Sequence, residues 1–221
     1  MNGNYKIIAQ TQIGPYHIKN NIPNQDSFAF KIYKSLDLVV GAVSDGMGSR
    51  KYSHIGSKEL TKLVVKQARL FYSKKRFEKK LLKQWLLNIR PYKQNETLST
   101  LMCVIIKNNK IYIAKVGDGT IVILGKKDKI LDDDKYFANL TTAFSLEKLQ
   151  WWEFEKNEVD TIFLATDGIS DDIDNKFKFV KDFTNYFFKY NRNKELKNIL
   201  KNWPVKGHSD DKTLMCIKNE K

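Results

Sequence analysis

Four acidic residues in this chain sit where an apolar, strand-like run begins or stops. Leu38-Val39-Val40-Gly41-Ala42-Val43 leads into Ser44-Asp45-Gly46-Met47-Gly48, and Thr161-Ile162-Phe163-Leu164-Ala165 leads into Thr166-Asp167-Gly168. Asn24-Gln25-Asp26 precedes the stretch from Phe28 to Ile32, and Ser209-Asp210-Asp211 precedes the run from Thr213 to Ile217. A carboxylate at a strand end leaves the core yet stays fixed in position. Several such carboxylates brought together repel one another unless a cation sits among them. Hard divalent ions such as Mg²⁺ and Mn²⁺ suit an oxygen-rich cage of this kind. The pattern points to a metal site assembled from distant parts of the chain.

The elements that must position these acids follow from periodicity. Tyr5 to Ile13, Asp26 to Tyr33 and Leu36 to Val43 read as strands. The third is almost continuously apolar, as a strand covered on both faces should be. Two helical patterns follow, one from His54 to Tyr72 and a cleaner one through Phe77, Leu81, Leu82, Trp85, Leu86 and Ile89, stopped at Arg90-Pro91. Leu98 to Ile106 and Ile111 to Val116 read as a hairpin, and Gly117-Asp118-Gly119 as a tight turn into Thr120 to Leu124. Lys126 to Lys135 reads as a charged loop in which Asp132-Asp133-Asp134 is solvated. Asp160 to Ala165 is a strand, two helical faces follow at Phe177 to Tyr190 and Leu196 to Trp203, and Thr213 to Ile217 closes the chain as a strand. Hairpins in place of βαβ alternation indicate an α+β fold of mostly antiparallel sheet with helices outside.

Composition bounds the function. At 221 residues the chain is expected to form one domain, 1–221, and 42% hydrophobic residues suit a folded core. No run reaches the roughly 18 apolar residues of a membrane span, and no signal-peptide pattern opens the chain, so a cytoplasmic protein is expected. The net charge is +14, but the lysines are spread along the chain, which disfavours a nucleic-acid binder. A basic surface can instead attract phosphorylated partners. Cys103 and Cys216 lie inside apolar runs and read as buried thiols; His17, His54 and His208 form no zinc pattern.

The ordered fragments Asn24-Gln25-Asp26-Ser27, Ser44-Asp45-Gly46-Met47-Gly48, Leu98-Ser99-Thr100, Val116-Gly117-Asp118-Gly119, Ala165-Thr166-Asp167-Gly168 and Ser209-Asp210-Asp211-Lys212-Thr213 resemble the successive motifs of the PP2C-type (PPM) metal-dependent serine/threonine phosphatases, in their bacterial form. Leu140-Thr141-Thr142-Ala143-Phe144 is similar to a short segment of that family. The resemblance implies a β-sandwich of two antiparallel sheets flanked by helical pairs, with two Mn²⁺ or Mg²⁺ ions at one end. It implies that Asp45 bridges both ions, that Gly46 offers a carbonyl, and that Asp167 and Asp210 ligate the second ion. Asp26 would act through a metal-bound water, and Asp118 with Asp167 could hold a third ion. The implied reaction is hydrolysis of phosphoserine and phosphothreonine in proteins by a hydroxide bridging the two ions. A Ser/Thr kinase or its targets would be the phosphorylated partner, and a monomer is expected.

The chain departs from the family at several points. Asn21 stands where many relatives carry a phosphate-gripping Arg, and Asn cannot form a charged bidentate pair. His17 and Lys19 are the expected substitutes. The closing pair is Asp210-Asp211 where Asp-Asn is usual, so either could be the ligand, with Asp210 favoured by the register of Thr213. Met47 replaces a His that some relatives use as general acid; His54 and His208 are candidates only by proximity to motifs. The stretch from Gly125 to Thr141 leaves room for at most a small flap. The missing Arg also motivates an alternative: a catalytically weak PP2C-like domain that binds phosphoproteins or senses metal.

Overall fold

Runs of β-branched and aromatic residues extend the backbone wherever both faces of a strand find apolar cover. The computed structural model describes residues 4–131, 142–190, 192–205 and 209–220. Among them the strands are β1 (Asn4–Gln12), β2 (Ser27–Tyr33), β3 (Leu38–Ser44), β4 (Leu101–Lys107) and β5 (Lys110–Val116). They continue with β6 (Thr120–Gly125), β7 (Lys129–Leu131), β8 (Gln150–Glu155), β9 (Val159–Ala165) and β10 (Lys212–Glu220). One sheet has the order β1-β10-β9-β6-β7 and the other β2-β3-β4-β5-β8, with antiparallel pairing throughout. The antiparallel α+β fold expected from the hairpin pattern is observed, in the two-sheet sandwich that the family resemblance implies.

Side-chain alternation divides each strand between two layers. In β3, Val39 and Val43 point into the inter-sheet core with Val104, Ile113, Ile121, Ile162 and Met215. Leu38, Val40 and Ala42 of the same strand point outward to the helices α2 (Ser53–Ala68) and α3 (Lys74–Asn88), which follow the single short turn of α1 (Pro15–Lys19). Leu60, Leu63, Val64, Phe77, Leu81 and Trp85 cover that face. On the opposite outer face, α4 (Asp167–Ser170), α5 (Lys176–Thr184) and α6 (Leu196–Lys201) pack Ile169, Val180, Phe183 and Leu200 onto Val122, Phe163 and Leu214. Ser73 caps α3 by accepting from the Arg76 amide, and Asn175 caps α5 by accepting from Lys178. After Thr184 the helical face expected at Phe177 to Tyr190 continues as a π-helical stretch, Asn185–Lys189.

Three expectations change. Strand β7 lies inside the segment read as a charged loop, because Ile130 and Leu131 pair with β6. Strand β8 was not anticipated: the adjacent Trp151 and Trp152 break simple alternation, yet each finds apolar cover on its own side of the sheet. Strand β4 starts at Leu101 rather than Leu98, since Ser99 and Thr100 are drawn off to pair with Gly46 and Asp45. Residues 132–141 lie outside the described structure, so the Asp132 to Asp134 run and most of the flap segment do too. No helix among the described residues is long and apolar enough to cross a membrane. Cys103 and Cys216 are free and buried, and burial pushes both thiols up to about 12.

Trp85 ties α3 to α2. Its side chain is fully buried, its indole N–H donates to the Gly56 carbonyl at 3.0 Å, and its ring meets Phe144 edge-on. Gly56 cannot bear a side chain, because a Cβ there would lie 1.8 Å from the Thr97 carbonyl oxygen. Replacing Trp85 by Ala should cost roughly 3–5 kcal/mol in urea denaturation; a loss below about 1 kcal/mol would mean the helical layer is not locked at this point.

Candidate metal centre

Acids from both sheets converge at one end of the sandwich. Asp45 follows β3, Asp118 sits in the turn between β5 and β6, Asp167 opens α4 after β9, and Asp210 precedes β10. All four line a cavity of about 210 Å³ together with Gly46, Met47, Ser49 and Thr100. One carboxylate oxygen each from Asp45, Asp118 and Asp167 lies within 4.8 Å of the others. That is a spacing at which one cation can touch all three.

Backbone pairing carries the strand geometry past the strand ends and holds the acids in place. The Asp45 amide donates to Thr100 Oγ1 at 3.0 Å, and the Thr100 amide donates to the Asp45 carbonyl at 2.7 Å. Gly46 bridges to Ser99, and the Met47 amide donates to Leu98. The Asp118 turn depends on Gly117, whose φ of +102° suits a residue without a side chain, and whose Cβ would strike Thr100. Asp167 is braced by the Gly168 amide, which donates to its Oδ1 at 2.7 Å.

Asp26 is buried behind Asp45. Thr166 Oγ1 donates to its Oδ2 at 2.9 Å, while Asp26 Oδ1 is buried without a hydrogen-bond partner among the described residues. Burial, and then the neighbouring carboxylate of Asp211, push the Asp26 carboxyl up to about 7, against the hydrogen bonds it accepts. Burial followed by the charges of Asp118 and Asp210 raises Asp167 to about 7. Asp45, faced by Asp26, Asp167 and Asp210, is held well above the usual carboxylate range. The cluster is short of positive charge, and the pushed-up carboxyls are the electrostatic signature of that shortage.

Asp210 and Asp211 have different places. Asp210 is exposed and lines the cavity, whereas Asp211 is 2% exposed and turned inward. The amides of Gly14 and Gln25 each donate to Asp211 at 2.7 Å, and His17 Nδ1 lies 2.8 Å from its Oδ2. His17 is buried against this carboxylate, with a ring nitrogen within 4.8 Å of an Asp210 oxygen, and is not itself among the residues that line the acid cavity, where it was expected to grip phosphate. Lys19 is exposed and borders a different hollow. Asn21 occupies an exposed left-handed turn with φ 54°, a conformation Asn tolerates better than Arg. His54 is absent from the cavity wall, and burial followed by Lys58 lowers its pKa. His208 lies outside the described residues.

Sequence reasoning missed the anchoring of Asp211 and Thr166. Their partners are far away in the chain, and no local pattern marks them. Ser49 was also missed. It follows the Asp-Gly-Met-Gly fragment directly, and that adjacency is its only signal.

The chain is similar to known proteins in sequence and in fold. Residues 13–203 match the family model described as Protein phosphatase 2C. A comparison with curated protein sequences gives no match. A crystal structure of a bacterial serine phosphatase superposes with a TM-score of 0.67 at 15% identity, covering 98% of this chain and 98% of that one. A serine/threonine phosphatase from Staphylococcus aureus gives 0.68 at 15%, covering 99% and 96%. The catalytic domain of the phosphatase PstP, in complex with 2 manganese ions, gives 0.64 at 14%, covering 97% of each chain. At these identities the structural likeness speaks for the fold.

Two expectations follow from the electrostatics and the anchoring. A carboxyl raised in the folded state binds more protons than in the unfolded chain, so the metal-free protein should lose stability as pH rises from the ordinary Asp range of about 4 to the folded values of about 7. Thermal melts in EDTA should show this fall, and Asp45→Asn should raise the melting temperature at pH 8 by removing one repelling charge. A flat profile with an unchanged Asp45→Asn melt would refute the repulsion. Asp211→Ala should cost at least roughly 2 kcal/mol in urea, because two buried amides lose their acceptor.

Proposed function

Because the chain belongs to the protein phosphatase 2C family, we propose that it hydrolyses phosphoserine and phosphothreonine in proteins, with Mn²⁺ or Mg²⁺ held by the carboxylates at the sandwich end. The observation that carries this reading is the convergence of Asp45, Asp118 and Asp167 oxygens within 4.8 Å, with the carboxyls of Asp45 and Asp167 pushed up by burial and then by neighbouring carboxylates. An all-oxygen donor set of this charge fits a hard divalent ion and not a thiophilic one. Two ions in such a site lower the pKa of a shared water toward neutrality and offset charge on the phosphoryl oxygens.

The chain's own residues then have distinct tasks. Asp45, at the centre of the cluster, is the carboxylate two ions would share. Asp167 and Asp210, also in the cavity wall, would hold one ion and the Gly46 carbonyl would face the other, and Asp118 with Asp167 could hold a third. Asp26, buried beside Asp45 and held by Thr166, would act on the ions through a water. The cavity admits a phosphate but gives it no arginine, so phosphate binding falls to the ions and to the Ser49 and Thr100 wall. Neither cysteine serves as a nucleophile, since both are buried and protonated. The substrate is a phosphoprotein, a Ser/Thr kinase or its target, met by a monomeric enzyme in the cytoplasm.

The exposed turn at Asn21 favours one second reading, a catalytically weak domain that holds phosphoproteins. Hydrolysis of p-nitrophenyl phosphate separates the two. Turnover should require Mn²⁺ or Mg²⁺, vanish in EDTA, and fall at least about 100-fold in Asp45→Asn and Asp167→Asn, on the scale of losing a charge-stabilising group. A folded, metal-loaded wild type without turnover would select the binding reading.

A further inference from the structure

A second hollow, of about 350 Å³, opens beside the acid cavity. Three cations from three elements line it: Lys19 ends α1, Lys201 ends α6 and Lys212 opens β10. Pro15, Ile18 and Trp203 supply apolar walls, and no carboxylate is among its lining residues. Lys19 and Lys201 are exposed. Lys212 is 4% exposed, and its Nζ donates to the Asp210 carbonyl at 2.9 Å. Asp172 stands near Lys212 and accepts from the Trp203 indole at 2.7 Å, which fixes the aromatic wall. The hollow is therefore basic and joined through Asp210 to the acid cavity.

Strand register sets the distance between the two. Gln12 pairs with Lys212, and Leu214 pairs with Ala165, so the hollow and Asp167 lie at the same end of one sheet. The hollow borders β1 and β10, while Asp167 follows β9, the next strand over. Two strand spacings are about 10 Å. An extended peptide covers that in about three residues.

We propose that this hollow binds an anionic side chain, a carboxylate or a second phosphate, about three residues away from the phosphoserine or phosphothreonine whose phosphate enters the acid cavity. The proposal rests on the phosphatase reading above and adds a substrate class to it: phosphoproteins with an acidic or doubly phosphorylated stretch. Lys19 and Lys201 are exposed and can turn their ammonium groups to either anion, while Lys212 is engaged with the Asp210 carbonyl. Lys19 thus serves the flank of the substrate and not the phosphate being removed.

The test uses four phosphoserine peptides of otherwise neutral sequence: one with Gln at both −3 and +3, one with Glu at −3, one with Glu at +3, and one with phosphothreonine at whichever Glu position is preferred. Hydrolysis with Mn²⁺ is measured on wild type and Lys201→Glu, alongside p-nitrophenyl phosphate. One Glu peptide should exceed the Gln peptide in kcat/KM by about fivefold at low salt, the scale of one or two exposed ion pairs. Lys201→Glu should erase or invert that preference and leave p-nitrophenyl phosphate turnover within about twofold, since a rim charge acts on charged partners. The phosphothreonine peptide shows whether a second phosphate outdoes a carboxylate. Equal rates on the Gln and both Glu peptides, or a preference that survives Lys201→Glu, would overturn the proposal. If no substrate is hydrolysed, the phosphatase reading fails instead. Fluorescence anisotropy of the same labelled peptides then judges the hollow alone: tighter binding of a Glu peptide that Lys201→Glu abolishes supports it, and equal binding refutes it.

Discussion

Like-charge crowding at one end of the sandwich is the constraint around which the rest of the molecule is arranged. Asp26, Asp45, Asp167 and Asp210 reach that end from separated parts of the chain, and each raises the cost of ionising another. Left to flexible loops they would splay apart. They are held because the backbone stays paired beyond the strand ends, from Asp45 to Thr100 and from Gly46 to Ser99, and because Asp211 pulls the Gly14 and Gln25 segments onto the start of β10. The stability of the core is thus spent in part on keeping together groups that repel, a strain that a bound cation relieves.

The layered core makes this arrangement stiff. The inter-sheet layer joins strands that carry Asp45 and Asp167, so the two halves of the acid cavity are referenced to one packed interior. The helical layers lie outside the sheets and touch the site only at their beginnings: α2 starts just after the Asp45 segment, and α4 starts on Asp167 itself. Variation in the outer layers can alter the rim of the cavity without shifting the acids.

Much of this was legible in the sequence, and the failures have a common physical origin. Asp45 and Asp167 stood out because each follows an apolar run long enough to be a buried strand, and the turn around Asp118 was marked by its glycines. The strand pattern also predicted antiparallel sheet with helices outside, and the resemblance supplied the sandwich. What local reasoning could not separate was Asp210 from Asp211. The contacts that decide between them come from amides 197 and 186 positions away. His17 was misplaced for the same reason, since its proximity to the first acidic motif in sequence concealed its commitment to the last. Strand β8 was lost because a Trp-Trp pair serves two layers at once and so shows no period.

The two cysteines lead to a different kind of consequence. Cys103 belongs to β4 in one sheet and Cys216 to β10 in the other, and both thiols are pushed up to about 12. At neutral pH both thiols are protonated and buried, out of reach of peroxide or an alkylating reagent while the strand stays paired. Oxidants that silence thiol-dependent hydrolases leave this centre untouched. Reagents that do label these sulfurs record moments when a sheet has opened. Nature has in effect placed one clock in each half of the sandwich, and the two labelling rates tell whether the halves open together or one at a time.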